Sequence, residues 1–217
     1  MKFQINGQNK EITVNKLIVA GWTGRNQAAV QAHIDELVEL GVKPPSSVPV
    51  FYEVANQMLT QNKQVQVLSE GTSGEVEPIV VHADNQYWFG IASDHTDRDL
   101  EAFSVAHSKQ VCPKPVSTEL WSFSEIEAHL EKIELTSWLD EGEGWTKYQQ
   151  GSLNEIRPLK ELIEKSNLPH DSAMLCGTFP AIGGVRRTAK FKMEAYDPVL
   201  DRTIRSDYST VELAVMA

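Results

Sequence analysis

Three acidic residues carry the most pointed chemistry in this chain: Glu75 and Glu77, two apart in GEVEPIVV, and Asp94, which directly follows QYWFGIAS. In an extended strand successive side chains alternate between faces, so Glu75 and Glu77 share one face and Val76 takes the other. If the two segments pair, the three carboxylates gather at one end of a sheet. Such a cluster is costly unless a cation or a proton sits among the charges. An all-oxygen donor set suits a hard divalent ion, Mg2+ or Mn2+, with Ca2+ as a further choice. The same pattern also fits the solvent face of an edge strand, which needs no metal.

Two further features lie within reach of acid–base chemistry. His33 and Glu36 stand i, i+3 in a stretch with helical spacing, so their side chains can be neighbours. The alternative is a solvated helix flank. Lys109 falls where a helix over Arg98 to Ser108 should end, at the entry to a proline-interrupted loop. It reads either as a cation near the acidic cluster or as an ordinary surface lysine.

The elements that must position these residues are mostly strands. Asn6-Gly7 supplies the turn of a first hairpin. Lys16 to Trp22 reads as a buried strand, and Asn26 as the N-cap of a helix carrying Val30, Ile34, Leu37 and Val38 on one side, with Gly41 as its stop. GEVEPIVV and QYWFGIAS flank Ala83-Asp84-Asn85 and form a hairpin, followed by a polar turn and a helix from near Asp97. Ser124 to Glu127 has the form of a capping box. Two strands split by EGEG, a helix with Pro158 in its first turn, and three C-terminal strands complete the chain. The pattern is α+β with a mainly β core.

Composition narrows the function. At 217 residues and 24.3 kDa the chain suits one domain, and a net charge of −10 without a basic run argues against nucleic acid or an anionic membrane surface. The N-terminus has no apolar core of the signal-peptide kind, and no apolar run approaches a membrane span, so a cytoplasmic location is the default. Cys112 and Cys176 lack metal-ligand spacing and read as small buried residues.

Five motifs in order resemble the fumarylacetoacetate hydrolase superfamily: Gly24-Arg25-Asn26 with His33 and Glu36; Glu75-Val76-Glu77; Asp94-His95-Thr96-Asp97-Arg98-Asp99; Lys109 before Cys112-Pro113; and Tyr148-Gln149-Gln150-Gly151 with Asp171 to Thr178. Within it, GWTGRN, TSGEVEP and SDHTDR are similar to an uncharacterised prokaryotic branch, the DUF2848-like proteins. The resemblance departs where Val50-Phe51-Tyr52-Glu53 lacks a lysine and Phe179 replaces a proline.

What the resemblance implies is a fumarylacetoacetase C-terminal-domain-like twisted β-sheet roll with a few peripheral helices. It would be a single catalytic domain over 1–217, with a hairpin and lid segment over 1–60 and the roll over 61–217. The implied protein is often a homodimer. Its implied activity is metal-dependent cleavage of a small 2-oxo acid or 1,3-dicarbonyl acid, with C–C hydrolysis ahead of decarboxylation or tautomerisation. Glu75, Glu77 and Asp94 would bind the metal. His33, oriented by Glu36, would take a proton from water, and Lys109 would stabilise an enolate. Arg25, Arg98, Thr178 and Gln150 would hold the substrate. A non-catalytic binding domain on the same scaffold and a purely structural β protein are the competing classes.

Overall fold

Two tight hairpins set the frame of the computed structural model, which describes residues 1–39, 44–187 and 189–214, without the side chain of Leu37. Asn6 and Gly7 both take positive φ (50° and 75°), as a two-residue turn matched to strand twist requires, and join Lys2–Ile5 to Gln8–Glu11. Asp84 and Asn85 do the same (53° and 58°) and fold Val76–Ala83 back onto Gln86–Ser93.

That second hairpin lies inside a six-stranded sheet ordered Trp121–Ser122, Gln86–Ser93, Val76–Ala83, Ser172–Leu175, Lys16–Gly21, Val50–Val54. Val76–Ala83 therefore has a strand on each side and is buried along nearly its whole length. The solvent-face alternative is overturned for Glu77, which is buried, while Glu75, just before the strand, stays partly exposed. A second sheet, ordered Trp145–Ser152, Glu134–Asp140, Lys190–Asp197, Arg202–Glu212, Gln64–Val67, packs against the first.

The main core fills the space between the sheets, where Val76, Val80, Phe89 and Ile91 meet Leu135, Phe191, Met193, Ile204 and Tyr208. The outer face of the first sheet buries Ile79, Val81, Leu17, Val19, Ala173 and Leu175 with Phe3, Ile5 and Ile12 of the N-terminal hairpin. A sheet covered on both faces needs near-continuous apolar strands, which accounts for PIVV and LIVA. Lys16–Gly21 and Val50–Val54 come from the segment expected to form the hairpin and lid, yet belong to the same sheet as the acidic hairpin.

Helices are few and short. Asn26 caps Gln27–Glu39 through its Oδ1, which accepts from the Ala29 N–H at 3.1 Å; the stop expected at Gly41 lies outside the described residues. The helix expected from Arg98 to Ser108 is broken. Ser104 is extended (φ −158°) and its hydroxyl accepts from the His107 N–H, restarting a second helix, Val105–Gln110. Lys109 consequently sits inside the last turn of that helix, not at a loop entry. The capping box expected at Ser124 does not form: the helix begins at Phe123, and the Ser122 and Ser124 hydroxyls bond each other at 2.9 Å. No described helix is long and apolar enough to cross a membrane.

Candidate metal centre

The register of the central hairpin builds the acidic cluster. Val76 pairs with Ser93 and Glu77 with Ala92, so Glu75 lies opposite Asp94, whose N–H donates to the Glu75 carbonyl at 3.0 Å. Paired residues share a face, so all three carboxylates project from the outer face of the first sheet. One ligating oxygen from each lies within 4.8 Å of the others.

Each carboxylate has a different partner. Asp94 is buried; Lys109 Nζ donates to its Oδ2, and Lys114 Nζ forms an ion pair with its Oδ1 at 2.9 Å while donating to the His95 carbonyl at 2.6 Å. Burial pushes the Asp94 carboxyl up, but the two ammoniums outweigh it and hold it well below the usual range. Among the described residues Glu77 accepts the Gly177 N–H alone, at 2.8 Å; burial and then the Asp94 charge push it well above the usual range. Glu75 pairs with Arg98 at 3.0 Å, and Arg98 also holds Glu101 and donates to Ser73.

A divalent cation fits this arrangement. The donors are all oxygen, they lie close together, and Glu77 is a buried carboxyl whose charged form a nearby cation would relieve. Glu75, Glu77 and Asp94 would hold it, taking the Asp94 oxygen that Lys109 now occupies or shares.

The backbone between the two glutamates is pinned by side chains. Val76 lies beyond the end of the neighbouring Ser172–Leu175 strand, so its peptide groups need other partners. The Gln149 Oε1 accepts from Val76 N–H at 2.9 Å, and the Thr178 hydroxyl donates to Val76 carbonyl at 2.8 Å while accepting from Gln149 Nε2 at 2.7 Å. Gly177 next door has φ +102°, and a Cβ there would run into Thr23 Oγ1.

Several expected substrate-binding residues are placed differently. Gln150 is exposed and bonds Lys147, and it is Gln149 that enters the site region. The cause is a β-bulge: Ser137 pairs with Gln149 and Trp138 with Lys147, leaving Tyr148 unpaired. The extra residue turns Tyr148 and Gln149 both inward and sends Gln150 out. Arg25 points elsewhere. It donates to the Ile156 carbonyl, pairs with Glu131, and lines a 420 Å³ surface cavity with Leu153, Pro158 and Lys160. Arg98 is committed to Glu75 and Glu101, and the Thr178 hydroxyl to the backbone and Gln149.

His33 and Glu36 face each other at 3.5 Å but are 62 % and 74 % exposed, and neither is hydrogen-bonded or ion-paired to the triad or Lys109. The contacts leading inward run from the His33 ring to Trp22 (5.8 Å between centroids), and from Trp22 to Tyr52, which feels the charges of Lys109, Glu101 and Asp94. Sequence reasoning did not single out Lys114, and it gave Gln150 the inward place that Gln149 takes. Lys114 stands in CPKPV beside the noted lysine, but nothing in a sequence marks a lysine as buried.

The two-sheet architecture is shared with solved enzyme structures. Cg1458 with an inhibitor superimposes with a TM-score of 0.66 at 17% identity, covering 96% of this chain and 84% of that one. A 2-keto-3-deoxy-D-arabinonate dehydratase, complexed with magnesium and 2,5-dioxopentanoate, gives 0.64 at 18% identity, covering 97% and 79%. A search of curated proteins finds no match. A family model described as a protein of unknown function, DUF2848, matches residues 20–208, and the chain belongs to that family.

Proposed function

We propose that this chain is a divalent-metal-dependent enzyme acting on a small 2-oxo acid or 1,3-dicarbonyl acid, on a twisted β-roll of the fumarylacetoacetate hydrolase type. The observation that carries the reading is the convergence of Glu75, Glu77 and Asp94 with the Lys109 ammonium beside them. The magnesium and oxo-acid complex of the structurally similar dehydratase supports it. When bound, a divalent ion polarises an oxo group and lowers the cost of an enolate. Lys109 brings a positive charge to the developing oxyanion. Arg98 holds the Glu75 carboxylate in place, and Gln149 with Thr178 fixes the backbone at Val76, between the two glutamates. The protein acts as a homodimer in the cytoplasm.

Hydrolysis of a C–C bond further requires His33, oriented by Glu36, to take a proton from water after the helix closes toward the centre. A second reading, decarboxylation, tautomerisation or elimination, is favoured by the exposure of that pair, since such reactions need the ion and a proton donor but no hydrolytic base. Calorimetry tests the shared part: Mn2+ or Mg2+ should bind the wild type and be lost or greatly weakened in Glu75→Ala, Glu77→Ala and Asp94→Ala. Unchanged affinity in all three removes the site. With a substrate found from a panel of oxo acids, His33→Ala should lower hydrolysis about a hundredfold or more; full turnover in that variant selects the second reading.

A further inference from the structure

The acidic triad is held from behind by a residue of the other sheet. Alternation puts Asp94 on the outer face of the first sheet and its neighbours Ser93 and His95 on the inner face, toward the second sheet. There the Tyr208 hydroxyl, from Arg202–Glu212, lies 2.8 Å from Ser93 Oγ and 2.8 Å from His95 Nδ1. Ser93 Oγ in turn accepts the Glu75 N–H at 3.2 Å. One buried hydroxyl is thus linked to both residues flanking Asp94 and, through Ser93, to the backbone of Glu75.

The surroundings are shaped to admit it. A Cβ on Gly74 would stand 2.5 Å from the Tyr208 hydroxyl and 2.7 Å from the Phe191 ring, so the residue before Glu75 is one that leaves the hydroxyl room. Tyr208 packs among Phe191 and the inter-sheet core, which fixes its ring. From the opposite side Lys114 bonds the His95 carbonyl, so the backbone around Asp94 is gripped on two sides.

We propose that Tyr208 is a positioning residue of the metal centre, setting the separation of Glu75 and Asp94 through Ser93 and His95. The proposal rests on the metal-dependent reading above. Groups that touch ligands without touching the ion typically change metal affinity by about 10–100-fold when removed; Ser93, on the Glu75 N–H, is such a group, and Tyr208 acts one hydrogen bond further out.

The test uses the full chain and Mn2+ alone. Tyr208→Phe keeps the ring and removes only the hydroxyl; Ser93→Ala cuts the link to Glu75 while leaving the tyrosine. Tyr196→Phe, which removes a hydroxyl bonded to Asp201 on the protein surface, is the control. Both inner-face variants should weaken Mn2+ binding roughly tenfold or more and change the electron paramagnetic resonance spectrum of the bound ion, while Tyr196→Phe leaves both as in the wild type. A lower melting temperature with unaltered Mn2+ affinity and spectrum in both variants would mean that the hydroxyl serves the fold alone and overturns the inference. Absence of Mn2+ binding by the wild type overturns it together with the metal-dependent reading.

Discussion

Lys114 is the residue whose placement runs furthest against its type. A lysine with 0 % exposure survives only where its charge is paired and its hydrogens are bonded, and Asp94 with the His95 carbonyl supplies both. Among the described residues Lys109 bonds Asp94 alone and sits nearer the surface, so the two ammoniums are not equivalent. Removing one member of a buried ion pair typically costs about 3–5 kcal/mol, because the other charge is left uncompensated. Lys114→Met should therefore destabilise the metal-free protein by about that much in chemical denaturation. A loss below about 1 kcal/mol, the range of an exposed pair, would show that Lys109 alone satisfies Asp94.

Among the elements, the hairpin from Lys190–Asp197 to Arg202–Glu212 delivers Tyr208, and Asp197 ties its turn. The Asp197 carboxylate accepts from Val199 N–H at 3.0 Å, Leu200 N–H at 3.2 Å and His129 Nε2 at 3.1 Å. Burial pushes this carboxyl up, but those hydrogen bonds outweigh it and hold it below its ordinary value. With the folded value depressed, the unfolded chain binds the proton first. The contribution is complete above the unfolded carboxylate value of about 3.9 and is lost as pH falls through the folded one. Asp197→Asn should flatten the acid limb of a stability–pH curve; an unaltered limb would show that the turn does not depend on the charge. The hairpins themselves were legible, because Asn6-Gly7 and Asp84-Asn85 are turn chemistry with a known twist, and the period-two spacing of Glu75 and Glu77 followed from strand geometry. The break at Ser104 was not, since a serine inside a helical pattern caps a new helix only when tertiary contacts favour the restart. Nor was the bulge at Tyr148, where one unpaired residue moves the inward side chain from Gln150 to Gln149.

For the whole molecule, the matter to test is assembly. Phe103 ends its helix 85 % exposed, and burying such a side chain is worth about 1.5–3 kcal/mol. A homodimer would be expected to cover apolar side chains of this kind. Light scattering should give twice the chain mass of 24.3 kDa, and Phe103→Ser should shift the balance toward the monomer. A single-chain mass across a wide concentration range would sink the dimer.

Arg98 is paired with Glu75, and Lys109 and Lys114 with Asp94, while Glu77 has the Gly177 N–H. Two of the three carboxylates therefore have counter-ions within the chain, so on the proposed metal-dependent reading the fold would not have to wait for the ion. On that reading, loading would be a later, exchangeable event. Which ion occupied the centre would then depend on what the surrounding pool supplied at the time, not on what was present when the chain was made.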